Sequence, residues 1–168
     1  AASNGHTKTV RILLNEGAKK DDTGHNGQKL HESAKLGKSP LYLATRKGHF
    51  EIIRILLDAG AKNENKDGNL HYAASNGYTE IVRILLDAGA KNDTIGDDRD
   101  TPLYQAASNG HTKTVRILLN EGAKKDDTGH NGQKLHESAK LGKSPLYLAT
   151  RKGHFEIRNC SHFARCRC

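Results

Sequence analysis

The sequence predicts an all-α solenoid of helix–turn–helix units, and two internal repetitions carry that prediction. Residues 1–52 recur without change as residues 106–157. A shorter unit lies inside the longer one, because residues 73–90 match residues 1–18 at 13 of 18 positions. Only 35% of residues are hydrophobic, which favours an elongated stack over a sphere with one core. Leucines that open the units indicate a period of about 33 residues with insertions and deletions: Leu41, Leu70, Leu103 and Leu146.

Three of the four units begin with a short helix whose start is marked by a hydroxyl side chain and a proline. Ser39-Pro40 and Thr101-Pro102 place an N-cap hydroxyl before a proline at the first helical position, where its missing N–H is not needed. We expect the helix to run from Leu41 to Lys47. It should end at Gly48, because glycine suits the left-handed conformation that follows a helix.

A second helix follows in each unit, and its pattern predicts that most of its circumference is buried. Glu51, Arg54 and Asp58 are polar at spacings of three and four, while the residues between them are largely apolar. Gly60 ends this helix, and the polar stretch 62–68 turns toward the next unit.

Stacking between units is required, since isolated helices shorter than about 12 to 15 residues are marginal in water. The pairs Ala73-Ala74 and Ala106-Ala107 leave little bulk on the first helices and let neighbouring helices approach. The leucine-rich second helices fill the layer between units. Together these features predict a solenoid.

Two stretches carry the unit in its fullest form, SPLYLATRKGHFEIIRILLDAGA at 39–61 and TPLYQAASNGHTKTVRILLNEGA at 101–123. Both resemble the ankyrin repeat pattern T-P-L-H-x-A-A-x-x-G-H-x-E-I-V-x-x-L-L-x-x-G-A, and the resemblance covers positions 1–157. It implies paired antiparallel helices, hairpin-like finger loops roughly perpendicular to them, and a concave surface that binds other proteins.

The spacing of the units predicts an array over residues 1–157 and an irregular, basic, cysteine-containing tail over 158–168. Within the array we predict five segments: a partial repeat at 1–38, repeats at 39–67, 68–100 and 101–143, and a truncated repeat at 144–157.

Several segments depart from the repeat pattern. Residues 29–37 look like a first helix without its second, and the half-unit returns at 135–142. It is either a short helix that extends the finger or a bulge that shifts the stacking. We favour the extra helix, because added surface residues cost little closure entropy and a lost interface costs more. The finger before Leu70 is short and its helix lacks proline, so we expect that helix start to fray.

The tail replaces the second helix that should follow Ile157. Solenoids ordinarily end in a repeat with a polar outer face, so we predict a poorly ordered C-terminus over an exposed apolar edge. We expect the chain to be monomeric apart from association through that edge.

Composition narrows the function classes. The net charge of +8 comes mainly from the duplicated segment and the tail arginines, which is weaker support for a nucleic-acid surface than one dense patch. No apolar run reaches the length of a membrane span and no signal peptide is recognisable, which disfavours membrane insertion and secretion. All three cysteines lie in the tail, so no disulfide framework is expected. We therefore expect an intracellular, cytoplasmic protein, with the nucleus as the alternative. The chain has no methionine and starts within a repeat, so we expect it to be a fragment of a longer protein.

Ten histidines invite a catalytic or metal-binding interpretation, but the repeat accounts for most of them. The resemblance implies structural hydrogen bonds for the histidines that follow a glycine between helices (His6, His49, His111, His154) and for those after an opening leucine (His31, His71, His136). His25 and His130 lie in loops without a partner pattern.

Three further motifs are incomplete. Residues 31–35 begin like an H-E-x-x-H zinc motif, but Lys35 stands where the second histidine must be. Residues 37–39 resemble the end of a phosphate-binding loop, yet Glu32 replaces its first glycine. Cys160, His162, Cys166 and Cys168 could supply four zinc ligands, but their spacing departs from the usual one. We predict no catalytic residue, no metal and no cofactor.

A binding surface for a protein partner is the remaining interpretation. In ankyrin repeats, partners contact mainly the finger tips and the exposed positions of the first helices. The resemblance places these contacts at Leu43, Arg46, Lys47, Tyr72, Ser75, Asn76, Gln105, Ser108, Asn109, Leu148, Arg151 and Lys152. Because basic helix ends flank an acidic finger at 97–100, we expect the partner to present an acidic segment.

The sequence therefore predicts a non-enzymatic scaffold for protein–protein interaction. A basic nucleic-acid-binding module is the first alternative, weakened because three phenylalanines, five tyrosines and no tryptophan leave few rings for base stacking. A targeting segment of a larger enzyme is the second alternative.

Overall fold

A computed structural model of the chain describes residues 1–18, 39–62, 65–96, 100–124, 152–154 and 156. Helices account for the regular structure in these ranges, where no strand occurs, and this confirms the all-α prediction. The elements are a 3₁₀ turn η1 (Ala2–Asn4) and the α-helices α1 (Thr7–Asn15), α2 (Pro40–Arg46), α3 (Phe50–Asp58), α4 (Lys66–Ser75), α5 (Thr79–Asp87), α6 (Pro102–Ser108) and α7 (Thr112–Asn120).

The helices form two parallel rows. The first-helix row consists of η1, α2, α4 and α6, each of which contacts the next. The second-helix row consists of α1, α3, α5 and α7, which contact one another in the same order. Helices α2 and α3, α4 and α5, and α6 and α7 also contact each other as pairs. Pairs added one beside another along a line make the predicted solenoid.

The helix boundaries predicted from capping residues are confirmed. The Ser39 hydroxyl accepts a hydrogen bond from the Tyr42 N–H at 3.2 Å, and the Thr101 hydroxyl accepts one from the Tyr104 N–H at 3.3 Å. A proline occupies the first helical position in both helices. Gly48 follows α2 with a φ of 75°, the left-handed conformation that glycine adopts without a Cβ clash.

Helix α4 starts earlier relative to its opening leucine than α2 does; no side-chain hydrogen bond caps this start, and the expected fraying stays a prediction. It begins at Lys66, four residues before Leu70, whereas α2 begins only one residue before Leu41. A proline restricts the residue before it to extended conformations and so blocks extension of α2 toward the N-terminus. Since α4 lacks that proline, its helix is longer at this end and crosses the expected boundary between residues 67 and 68.

The hydrophobic core lies between the two rows and runs through all the units described. In the first-helix row the side chains of the hydrophobic core are mostly alanine, as predicted for close approach: Leu41, Ala44, Leu70, Ala73, Ala74, Leu103, Ala106 and Ala107. In the second-helix row the buried side chains are larger and fill the space between helices: Val10, Ile52, Ile53, Leu56, Ile81, Val82, Ile84, Leu85, Val115 and Leu118.

One finger is closed by a backbone hydrogen bond from the Gly96 N–H to the Asp100 carbonyl at 3.1 Å. Its tip, residues 97–99, lies outside the described residues, as do both half-units, at 29–37 and 135–142, and the tail. The expectations for these segments and for the repeat boundaries stay predictions.

Candidate functional site

The candidate surface lies at the last turns of the first-helix row. Successive helices end with equivalent residue pairs, so their side chains form one line across the stack, which we call the last-turn line. Three of the four pairs are Ser-Asn, and the pair at the end of α2 is Arg46-Lys47. The other pairs are Ser3-Asn4, Ser75-Asn76 and Ser108-Asn109.

Between α4 and α6 the polar side chains bond to one another. The Asn109 side chain donates to the Ser75 carbonyl at 2.9 Å and lies 3.2 Å from the Ser75 hydroxyl. That hydroxyl donates to the Gln105 side-chain oxygen at 3.4 Å, and the Gln105 amide donates to the Asp100 carboxylate at 3.3 Å. The structure thus brings together three residues that the resemblance assigned to partner contacts, but much of their hydrogen-bonding capacity is used within the array.

Histidines tie successive units to the last-turn line. The His111 Nε2 atom lies 2.9 Å from the Ser75 carbonyl, and the His49 Nε2 atom lies 3.2 Å from the Ser3 carbonyl. His71 lies between the carbonyls of Asp67 and Asp100, at 2.8 and 2.9 Å from its two ring nitrogens. The structural role predicted for these three histidines is confirmed.

The link between α2 and α4 is different, because Tyr78 occupies the position of the histidine. The Arg46 carbonyl, which corresponds to the Ser75 carbonyl, instead accepts a hydrogen bond from the Tyr72 hydroxyl at 3.3 Å. The Arg46 guanidinium lies over the Tyr72 ring, 4.2 Å from its centroid, and 5.8 Å from the centroid of the Tyr42 ring. Tyr72 and Tyr78 meet edge to face with centroids 6.3 Å apart. Arg46 is nevertheless exposed to solvent.

The other predicted site residues lie on or beside the same line. Leu43 is half-buried on α2 and Lys47 is exposed at its end. The Asn76 side chain donates to the Tyr72 carbonyl of its own helix at 2.8 Å. The Lys152 ammonium donates to the Ser108 hydroxyl at 2.8 Å. Leu148 and Arg151 lie outside the described residues.

Sequence reasoning missed the contact of the Arg46 guanidinium with two tyrosine rings. Half of it was detectable, because Tyr42 and Arg46 are four residues apart and so lie on one face of a helix. The other half depends on Tyr72, 26 positions further along the chain, and on the way α4 packs beside α2.

Tyr104, on α6, has a pKa that differs from its ordinary value. Burial raises the pKa of its phenol above the ordinary 10.0, and the nearby Asp100 carboxylate raises it further. In the unfolded chain the phenol ionises at its ordinary pKa, so the unfolded state loses this proton first as the pH rises. The contribution of Tyr104 to stability is therefore present below pH 10 and is lost above it.

When the pH is raised from neutral to above about 10, we expect the free energy of unfolding to fall less in the Tyr104→Phe variant than in the parent chain. Urea unfolding of both proteins at each pH measures this difference, and every other titrating group is common to the two. The same pH dependence in both proteins would contradict the shift.

Within the described residues, no group of histidine, cysteine, aspartate and glutamate side chains could hold a metal ion. The cysteines and His162 of the tail lie outside them. No helix in the part of the chain that the structure describes is long and apolar enough to cross a membrane.

Comparison with known proteins identifies the unit. The sequence pattern of the ankyrin repeats, in three copies, matches residues 1–67 and 70–160. No curated protein matches the chain. The match spans nearly the whole sequence and agrees with the two rows of stacked helices, the proline-capped first helices and the histidine links between units. The chain belongs to the ankyrin repeat family.

Proposed function

We propose that the chain is a non-catalytic scaffold that binds a partner protein along the last-turn line of its first-helix row. Ankyrin repeats are generally modules of protein–protein interaction and are typically non-catalytic. The expected setting is intracellular, in the cytoplasm or the nucleus.

One observation carries the proposal: exposed side chains occupy equivalent positions on successive helices. Lys47, Asn76 and Asn109 end α2, α4 and α6 and are all exposed. Packed helices lie about 8–10 Å apart, so three of them present a line about 20 Å long. Most apolar residues of these helices are buried beneath it, which leaves a mainly polar surface suited to a reversible contact.

The charge along this line supports an acidic partner segment. Arg46 and Lys47 supply two exposed positive charges at the end of α2, and Lys152 supplies another beside the end of α6. Opposite charge on a partner would speed its encounter and fix its register.

A pair of photo-crosslinking variants tests the proposal. A benzophenone amino acid at Asn76 lies on the last-turn line, and one at Arg83 lies on the second-helix row; both positions are exposed. We expect partner proteins to be cross-linked in cells from position 76 and not from position 83. Reversing Arg46 and Lys47 to glutamate should remove these cross-links, and so should high salt when the cross-linking is repeated in a cell lysate.

Two results would argue against this function. Equal cross-linking from both positions would mean that the last-turn line has no special role. Cross-linking at position 76 that is insensitive to both charge reversal and salt would rule out an acidic partner segment.

A further inference from the structure

We infer that Arg46 is the anchor of this surface and that it binds one carboxylate of the partner's acidic segment. The inference rests on the proposed function and deepens it, since it names one residue and the chemical group that this residue receives. Three features of the structure support it. The guanidinium is held by aromatic rings, it has no acidic partner among the described residues, and it lies at the C-terminal end of α2.

The guanidinium of Arg46 is held in place before any partner arrives. It lies over the Tyr72 ring, 4.2 Å from its centroid, and 5.8 Å from the centroid of the Tyr42 ring. Tyr72 is itself fixed by its hydrogen bond to the Arg46 carbonyl and by its edge-to-face contact with Tyr78. A stacked guanidinium loses less conformational freedom on binding than a freely moving one, so more of the contact energy appears as affinity.

The N–H donors of Arg46 have no acidic partner in the part of the chain that the structure describes. The ion pair found there, between Arg54 and Glu80, lies on the second-helix row. By contrast, Ser75 and Asn109 on the same line bond to each other. A planar fork of free donors on an exposed side chain matches the two oxygens of a carboxylate.

Arg46 is the last residue of α2, and this position favours binding of the partner's carboxylate to the guanidinium rather than to the backbone. The C-terminal end of a helix carries partial negative charge, which favours Arg46 and Lys47 there and disfavours an anion placed on the backbone. An acidic side chain is therefore expected to bind through the guanidinium rather than through the backbone at the helix end.

The same stack favours an acidic peptide over a nucleic acid. Single-stranded nucleic acids bind by stacking bases on open aromatic faces. One face of Tyr72 is covered by the guanidinium, and the ring contacts Tyr78 as well. Tyr42 also faces Arg46.

The test uses the full chain, labelled with ¹⁵N, and hexaglutamate as the probe. We expect the Arg46 Nε–H signal, assigned by its loss in Arg46→Lys, to shift as the peptide is added. Arg46→Lys keeps the charge but not the fork, and should weaken binding about fivefold. Tyr72→Leu removes the stacked ring and should weaken binding to a similar extent.

A matched variant distinguishes binding at Arg46 from nonspecific attraction of the acidic peptide to a basic protein. Arg83→Lys makes the same change on an exposed residue of the second-helix row and should leave the affinity unaltered.

Three results would overturn the inference. The first is no shift of the Arg46 signal, and the second is an equal loss of affinity in Arg46→Lys and Arg83→Lys. The third is tighter binding of a thymidine hexanucleotide than of hexaglutamate, which would indicate a nucleic-acid site. Cross-linking of partners from position 76 tests the proposed function separately, so it can persist when this inference fails.

Discussion

Replacing Leu118 by alanine is expected to lower the free energy of unfolding by about 2–5 kcal/mol, whereas Leu13→Ala should cost less than about 1 kcal/mol. The two leucines occupy the same position in an identical nine-residue helix, α7 and α1. Leu118 is fully buried, at 0% exposure, whereas Leu13 is 45% exposed. Removing Leu118 leaves a cavity in the core, while solvent already reaches Leu13.

The identical sequences make this comparison well controlled. Any change in helix propensity from leucine to alanine is the same in both helices, so the difference between the two variants reports the environment alone. Urea unfolding followed by far-ultraviolet circular dichroism gives both values. Equal costs would mean that α1 is packed as fully as α7, contrary to the structure.

This pair of leucines also shows where sequence reasoning reaches its limit. Identical residues with identical neighbours in the chain predict the same helix, and both copies form it. Their burial differs because α7 packs beside both α6 and α5, whereas α1 follows a three-residue 3₁₀ turn and packs beside α3. Burial of a helix in a solenoid depends on the helices that pack against it, and the nine-residue sequence of the helix itself does not specify them.

In the candidate site, too, the sequence predicted the features that lie within one helix but not the contacts between units. The sequence predicted the caps at Ser39 and Thr101 and the positions of the exposed helix ends, because these depend on residues within one turn of each other. It did not reveal that Ser75 and Asn109 bond to each other or that Tyr72 stacks on Arg46. Both contacts join neighbouring units, so they depend on how helices pack side by side.

The contact between units should also show in a glycine substitution. We expect Gly77→Ala to lower the free energy of unfolding by about 2–4 kcal/mol and Gly89→Ala to lower it by only about 1 kcal/mol. Both glycines have a positive φ, 68° and 80°, so alanine is strained to a similar degree at either position. A Cβ atom at Gly77 would lie 2.5 Å from the Nδ1 atom of His111, whereas nothing lies within 4 Å of one at Gly89.

The additional cost at Gly77 arises because the His111 ring cannot move away freely. A Cβ atom there would also lie 2.7 Å from Cγ, the ring atom nearest the histidine backbone. Shifting the ring would break its 2.9 Å hydrogen bond to the Ser75 carbonyl, which joins the two units. The double variant Gly77→Ala with His111→Ala should therefore cost less than the sum of the two single variants. Urea unfolding of the four proteins measures this coupling, and strictly additive costs would show that the ring yields without loss.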